Sequence, residues 1–325
     1  MDIVGSKILV IGGAGFIGSH VVEELLSENP AEIVVYDNFC RGTPENLKYA
    51  LKDKRVSIFP DGGDITQSDV LYAAMRGKDY VFHLAALWLL QCHEYPRAAF
   101  DVNIRGTFNV IETCIKNDIM KLVYSSSASV YGDAVELPMT EEHPFNNKTF
   151  YGATKIAGEQ MLHALHVRYG LPYAGLRYMN VYGERQDYRG AYVAVLMKAL
   201  DRISQGLPPI IYGDGSQTYD FIYVRDVARA NVLALKSEAK EGFYNVGSGQ
   251  GTSIKEVIEL LLKVCGSKLK PQYETAGNTF VTKRIGSTVK AREKLGFEAK
   301  VPLEEGLKHL VSWYVLLPSN RKGNV

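Results

Sequence analysis

Residues 10–20 read Val-Ile-Gly-Gly-Ala-Gly-Phe-Ile-Gly-Ser-His, and their context decides the fold. Ahead of them, "KILVI" is an unbroken apolar run of strand length, as expected of a parallel strand buried on both faces. Behind them, Phe16, Ile17, Val21, Val22, Leu25 and Leu26 recur at helical spacing. Gly12, Gly15 and Gly18 stand between strand and helix. Gly12 permits a tight turn, Gly15 a close backbone approach to a pyrophosphate, and Gly18 close packing of helix on strand. A phosphate placed there faces the free N–H groups and the positive end of the helix dipole, with Phe16 and Ile17 in the first turn. Thirty glycines make accidental spacings common, so the strand–glycine–helix order carries the reading.

Outward from this stretch the chain alternates in type. "EIVVYDN" (32–38), "VSIFPDGGD" (56–64), "YVFHLAA" (80–86), "MKLVYSSSASVYG" (120–132) and "PYAGLRYMNVYG" (172–183) read as strands with their following loops. "RAAFDVNIRGTFNVIETCIKN" (97–117) reads as one long helix, and residues 151–170 as another, closed by Gly170. "LWLLQCHEYP" (87–96) reads as an unusually apolar loop, with Trp88 either lining a site or covering helices. This alternation predicts an α/β fold, a Rossmann-type doubly wound parallel sheet. Later segments predict helices at 191–206, 224–237, 253–266 and 303–314, with loop and short strand at 208–224. The expected organisation is a dinucleotide-binding domain over 1–184 to which later elements return, a smaller interleaved C-terminal substrate lobe over 185–317, and a flexible tail over 318–325.

Composition narrows the function. The chain has 325 residues, enough for about two domains and a large core. Its 37 basic and 36 acidic residues leave a formal charge of +1, which argues against nucleic acid or an anionic membrane as partner. The longest apolar stretch, Tyr80 to Leu90, is too short to span a bilayer. Cys40, Cys92, Cys114 and Cys265 form no Cys-x-x-Cys pair, and His83, His93 and His163 show no ligand spacing. No metal site is therefore expected, and four reduced thiols without a recognisable leader point to a cytoplasmic protein.

Asp37 closes the second strand about 20 residues past the glycines, where a carboxylate can accept from the adenosine ribose hydroxyls. That charge would repel a 2′-phosphate, so NAD is expected over NADP, with Arg41 close by as the feature that keeps NADP open. Asp64 and Ile65, after the third strand, are candidates to flank the adenine. Tyr151 and Lys155 lie one turn apart on a predicted helix, hence on one face. A phenol titrates near ~10, and a nearby ammonium favours the phenolate, so the pair can take a proton from a sugar hydroxyl while hydride leaves the same carbon. Chance alone supplies about one such Tyr-x-x-x-Lys pair in a chain of this composition, so position carries the weight. The helix follows Ser125, Ser126 and Ser127, which sit at a strand's C-terminal end, the ligand edge of an open α/β sheet. Ser127 can donate to an oxygen that changes carbonyl character; the other two are expected beside the ribose or nicotinamide amide. The alternative is that all three only satisfy backbone groups.

Taken in order, "GGAGFIGS", "YDN", "GDI", "HLAA", "VNIRGT", "SSSASVYG", "YGATK", "RYMNVYG", "GDGSQTYDFIYV" and "LEEGL" resemble the extended short-chain dehydrogenase/reductases over nearly the whole chain. Within them the chain is similar to the nucleotide-sugar epimerases and dehydratases, above all the UDP-sugar 4-epimerases. The resemblance implies Tyr151 as base, Lys155 as its partner on the nicotinamide ribose, and Ser127 as the sugar-hydroxyl contact. It implies a cofactor site of Gly12, Gly15, Phe16, Ile17, Gly18, Asp37, Asn38, Asp64 and Ile65, with Leu84, Ala85, Ala86, Tyr124, Ser125 and Tyr178 beside the dinucleotide. It also implies Asn180 at the substrate diphosphate, Tyr212 near the nucleotide base, and a homodimer paired through two long helices.

Two family arginines are missing. Tyr219 stands in "GDGSQTYDF" where relatives carry arginine, and the usual "R-P-G-D" segment reads "ETAGNTFVTKR" here. Arg185 and Arg284 are the candidates to compensate. Arg284 aligns near the position that governs sugar size in 4-epimerases, so it reads either as a contact for a sugar carboxylate or as a surface side chain. Dehydratases of the family place an Asp-Glu pair where this chain has Ala128 and Ser129, neither of which can shuttle a proton. Decarboxylating relatives carry a glutamate there. The expected activity is therefore 4-epimerisation of a nucleotide-diphosphate sugar through a 4-keto intermediate. The rivals are another nucleotide-sugar or ketone reductase, dehydratase or decarboxylase of the same fold, and a non-catalytic dinucleotide sensor.

Overall fold

The computed structural model describes residues 2–187, 195–275 and 281–317. The tail read at 318–325, the start of the helix read at 191–206 and part of the segment 274–284 lie outside these residues.

Six strands form first: β1 (Lys7–Ile11), β2 (Glu32–Tyr36), β3 (Val56–Ile58), β4 (Tyr80–His83), β5 (Lys121–Ser127) and β6 (Tyr173–Tyr178). The chain then makes β7 (Asn180–Tyr182), β8 (Ile210–Tyr212) and β9 (Thr218–Tyr223). β10 (Phe243–Val246) follows, and β11 (Gly251–Ser253), β12 (Gln272–Glu274) and β13 (Lys283–Arg284) complete the set. The main sheet has seven strands in the order β3-β2-β1-β4-β5-β6-β10, and every pairing is parallel. Strand order reverses between β1 and β4, which opens a crevice at their C-terminal ends, the ligand position of a doubly wound sheet. Ile8, Leu9, Val10 and Ile11 are fully buried, which is why β1 reads as a continuous apolar run rather than an alternating one.

The helices are α1 (Phe16–Leu26), α2 (Ser68–Met75), α3 (Leu89–Glu94), α4 (Pro96–Ala99), α5 (Thr107–Lys116) and α6 (Phe150–Tyr169). After them come α7 (Val195–Ser204), α8 (Val224–Lys236), α9 (Ile254–Val264), α10 (Val289–Leu295) and α11 (Leu303–Val315). The smaller lobe is a mixed sheet in which β9 pairs β11, β13 and β7, next to the two-stranded ladder of β8 and β12. Its core gathers Tyr182, Leu196, Ile211, Tyr223, Leu261 and Leu307.

Four local readings change. The long helix at 97–117 is helical throughout but passes through a π-helical stretch, Phe100–Gly106, between α4 and α5. Such insertions leave no mark in apolar spacing. The segment 173–182 is two strands: the chain leaves the main sheet at Met179 and joins the smaller one. The apolar loop at 87–96 holds α3, which buries Cys92. β10 was missed because its four residues follow Gly242 and precede Gly247, leaving too short a run to distinguish.

Candidate active site

The glycine turn behaves as its spacing requires. Gly12 has φ +79°, and a β-carbon on it would come within 2.7 Å of the Ala85 backbone nitrogen. A β-carbon on Gly18 would lie 2.1 Å from the Gly12 carbonyl oxygen, so helix and strand meet with no room for a side chain. Gly15 caps α1 without any side-chain hydrogen bond, and the first turn carries no acidic residue. The positive end of α1 is thus left for an anionic ligand, the arrangement that holds a pyrophosphate. A cleft of about 1310 Å³ opens there; Gly12, Gly15, Phe16, Ile17, Gly18, Leu84, Ala86, Ser125, Tyr151, Lys155, Tyr178 and Arg185 all line it.

Asp37 does not line this cleft directly. Its Oδ2 accepts from the Ala14 N–H at 2.9 Å and its Oδ1 from the Phe39 N–H at 2.8 Å, so the turn itself fixes the carboxylate. Burial pushes its carboxyl pKa upward, against the two N–H donors. Asn38 folds the next turn by accepting from the Cys40 N–H at 3.1 Å. The Tyr36 hydroxyl donates to the Asp64 carbonyl at 2.9 Å, and Asn109 donates to the Ile65 carbonyl at 3.0 Å. These bonds anchor the third-strand loop beneath the π-helical turn, where Ile65 packs on Gly106. Residues 37, 64 and 65 thus gather at one end of the crevice.

The α6 start positions the chemistry. Thr149 caps the helix, its Oγ1 accepting from the Gly152 N–H at 3.1 Å, which sets Tyr151 in the first turn and Lys155 one turn on. Lys155 is buried, and its Nζ donates to the Ser125 carbonyl at 2.7 Å. It lies 5.7 Å from the Tyr151 ring centroid and 5.2 Å from that of Tyr124. Tyr124 is itself buried and supports the lysine from below rather than lining the cleft. Burial lowers the Lys155 pKa to about 8, with Cys92 and Glu159 acting in the opposite sense. Tyr151 is half-buried as a residue, with its hydroxyl at the deep end. Burial pushes that phenol up to about 12, while the nearby Ser127 hydroxyl and the charge of Arg284 pull it down. A cationic nicotinamide in the cleft would add to the second effect.

The serine cluster divides its work. Ser125 Oγ lies 2.8 Å from the Tyr178 hydroxyl, which donates to Asn231 at 2.9 Å. Ser126 donates to Glu159 at 2.5 Å. Glu159 in turn receives a two-pronged contact from Arg177 at 2.9 and 2.7 Å, and both residues are buried. Ser127 accepts from the Ser129 N–H at 3.1 Å and is the serine that reaches Tyr151. His83 is buried with Nε2 3.0 Å from Thr107 Oγ1, and burial holds its pKa near 3, so it stays neutral.

The sequence-derived substrate residues are scattered. Arg284 pairs in register with Tyr219 across β13 and β9, and the Tyr219 hydroxyl donates to the Val281 carbonyl at 2.7 Å. Arg185 lines the cleft but is held by Glu23 of α1. Asn180 does not line the cleft; Val181, the next residue on the strand and so facing the opposite way, does. Tyr212 is half exposed on the β8–β12 ladder, away from the cleft. Sequence reasoning missed Cys92, which acts on both Tyr151 and Lys155, and the clasp of Arg41, Trp88 and Asp187. The Arg41 guanidinium lies 4.6 Å from the Trp88 ring centroid and 2.8 Å from the Asp187 carboxylate, and all three line the cleft. Only the aromatic content of the 87–96 loop hinted at it.

Seven parallel strands with this glycine turn, an ordered Tyr-Lys pair and a serine at the ligand edge define a short-chain dehydrogenase/reductase that uses NAD. The NAD dependent epimerase/dehydratase family matches residues 8–247, and the chain belongs to that family. A putative UDP-glucose 4-epimerase of Methanocaldococcus jannaschii is 39% identical over 94% of this chain and 97% of its own length. A solved UDP-N-acetylglucosamine 4-epimerase of Methanobrevibacter ruminantium, in complex with UDP-N-acetylmuramic acid, superposes with TM-score 0.90 at 33% identity, covering 96% of this chain and 99% of that one. The UDP-glucose 4-epimerase of Thermus thermophilus in complex with NAD gives TM-score 0.85 at 34% identity, covering 98% and 100%. Among the described residues no group of three or more His, Cys, Asp or Glu could hold a metal ion, and no helix is long and apolar enough to cross a membrane.

Proposed function

We propose that the protein is a 4-epimerase of a UDP-linked sugar (a hexose, N-acetylhexosamine or glycuronate), working through a transient 4-keto sugar. The observation that carries this reading is the company Tyr151 keeps. Ser127, Lys155, Cys92 and Arg284 surround it, and no carboxylate acts on it among the described residues. NAD, when bound in the cleft, would supply the hydride acceptor for C4 and the source of the hydride that goes back. Tyr151 takes the proton from the C4 hydroxyl, Ser127 holds the same oxygen, and Lys155 keeps the phenolate accessible. A dehydratase needs a second acid/base pair beside the hydroxyl residue; Ala128 is buried and Ser129 is tied to Ser127. The relatives named above, 4-epimerases of UDP-sugars by name, support the same choice.

Asp37 supports NAD rather than its 2′-phosphorylated form, because its carboxylate is fixed at the end of β2 where a phosphate would be repelled. Phe100 and Phe108, exposed on the π-helical stretch and α5, fit a homodimer built on these helices and α6.

Incubating the purified protein, with no added dinucleotide, with UDP-sugars in deuterated water tests the reading by NMR. Inversion at C4 without deuterium at C3 or C5 is expected. Deuterium at either carbon would mean enolisation, and a requirement for stoichiometric reduced dinucleotide would mean a reductase.

A further inference from the structure

The loop that follows β2 carries one cation, Arg41, and it begins at Asp37, the carboxylate read above as the ribose contact. Residues 37–43 wrap tightly round that carboxylate. Phe39, two residues on, takes the left-handed conformation with φ +57°. The Thr43 N–H donates to the Ala14 carbonyl at 3.1 Å, and Asn46 Nδ2 donates to the same carbonyl at 2.9 Å. A β-carbon on Gly42 would lie 2.9 Å from Asp37 Oδ2. Arg41 therefore leaves the backbone within one residue of the ribose position, where an arginine can accommodate a 2′-phosphate.

Its guanidinium is turned elsewhere. It lies 4.6 Å from the Trp88 ring centroid, and its Nη2 donates to Asp187 Oδ2 at 2.8 Å. Trp88 comes from the segment after β4 and Asp187 from the turn after β7, and all three residues line the cleft. The turn that presents Asp187 is itself anchored. Arg185 has φ +66°, a left-handed backbone that is costly for a residue with a β-carbon, and its side chain is tied to Glu23 of α1. The Gln186 N–H donates to the Gly183 carbonyl at 3.4 Å. A guanidinium stacked on an indole and bonded to a carboxylate has its charge answered twice, so it is not free to meet another anion.

We propose that Asp187 is a cofactor-selectivity residue that acts through Arg41: by drawing the guanidinium onto Trp88 it denies a 2′-phosphate its countercharge and leaves the repulsion from Asp37 unopposed. Selectivity is then set by two carboxylates, one at the ribose and one 146 positions from the cation it restrains. The inference rests on the reading above that the protein takes NAD rather than its 2′-phosphorylated form, and the test tells the two apart.

The purified protein is incubated with NAD and NADP at equal concentrations until the bound ratio is constant, starting from either loaded form. Unbound nucleotide is removed, the protein is denatured, and anion-exchange chromatography of what it releases gives the ratio. Because the ratio is taken within one protein, it does not depend on the folded fraction. NAD should predominate in the parent. In Asp187→Asn the NADP share should rise about 10-fold, the worth of one charge-assisted contact regained. Asp187→Glu should keep the parent ratio. Adding Arg41→Ala to Asp187→Asn should abolish the gain, since no guanidinium is left to release. An unchanged ratio in Asp187→Asn would overturn the proposal. So would an equal gain in the double variant, which would mean that Asp187 repels the phosphate directly. A parent that holds NADP as well as NAD sinks the NAD reading and this proposal with it; a parent that selects NAD while Asp187→Asn does not respond sinks the proposal alone.

Discussion

Two cations act near Tyr151, the buried Lys155 and the partly buried Arg284, and they are held in opposite ways. Lys155 sits on α6 one turn from the phenol and donates to the Ser125 carbonyl at 2.7 Å. Arg284 arrives on a two-residue strand from the other end of the chain, and its Nε has no partner among the described residues. Burial lowers the pKa of both. The lysine belongs to the dinucleotide half of the site, which the protein completes with its own backbone. The arginine sits on the smaller sheet, where Asp133 and the phenols Tyr219 and Tyr151 are the groups whose charge reaches it. The dinucleotide half is the stiffer: Glu159 and Arg177 lock Ser126 from inside, and breaking such a buried pair typically costs about 3–5 kcal/mol.

The difference can be broken at the phenol itself. Tyr151→Phe removes the acid/base group and leaves Lys155 and the glycine turn intact. Turnover should drop by about 1000-fold or more, while the dinucleotide stays bound at parent stoichiometry. NMR of the product and absorbance of nucleotide released on denaturation read the two halves separately. Loss of the dinucleotide together with activity would show that the two halves cannot be separated at this residue.

A titration sharpens the contrast. The Lys155 ammonium is held near pH 8 in the folded protein, against 10.5 for the exposed side chain. Between those values the unfolded chain binds a proton that the folded one does not, so this group's contribution to stability rises with pH. Below pH 8 both states are protonated and its full cost, on the order of 3 kcal/mol, is present. In protein stripped of dinucleotide, the stability advantage of Lys155→Met over the parent should shrink by about that amount from pH 7 to pH 11. Denaturant melts across the range measure it; a flat difference would mean that Lys155 is solvated.

The smallest effect concerns the mouth of the cleft. Trp88→Ala removes the face on which Arg41 stacks and leaves the Arg41–Asp187 pair. A stacking contact of about 0.5–1 kcal/mol should appear as a two- to five-fold faster release of dinucleotide. Dialysis followed by nucleotide assay reads this directly. An unchanged release rate would detach the clasp from cofactor retention.

Much of the fold was legible because its signals are local. The buried run of β1, the glycine turn and the α1 stripe are neighbours in sequence, and steric rules act on neighbours. Tyr151 and Lys155 share a helix face by spacing alone, and Thr149 and Gly170 mark that helix's ends. The substrate half was less legible. Of the substrate residues singled out from the sequence, Tyr151 and Arg185 line the cleft, whereas Ser127, Asn180, Tyr212, Tyr219 and Arg284 do not. Cys92 lay in a segment read as loop, and nothing in its neighbours tied it to Lys155.

By itself the sequence determined the parallel sheet, the anion-ready start of α1 and the pairing of phenol with lysine, because hydrophobic period, glycine and helical spacing operate within about twenty residues. Only the tertiary structure decided that β10 closes the sheet, that Arg41, Trp88 and Asp187 meet, and that the charge of Arg284 reaches Tyr151. Those contacts join residues far apart in the chain, 146 positions apart in the Arg41–Asp187 ion pair. Burial and the absence of a partner are properties of a packed neighbourhood, which spacing along the chain does not contain.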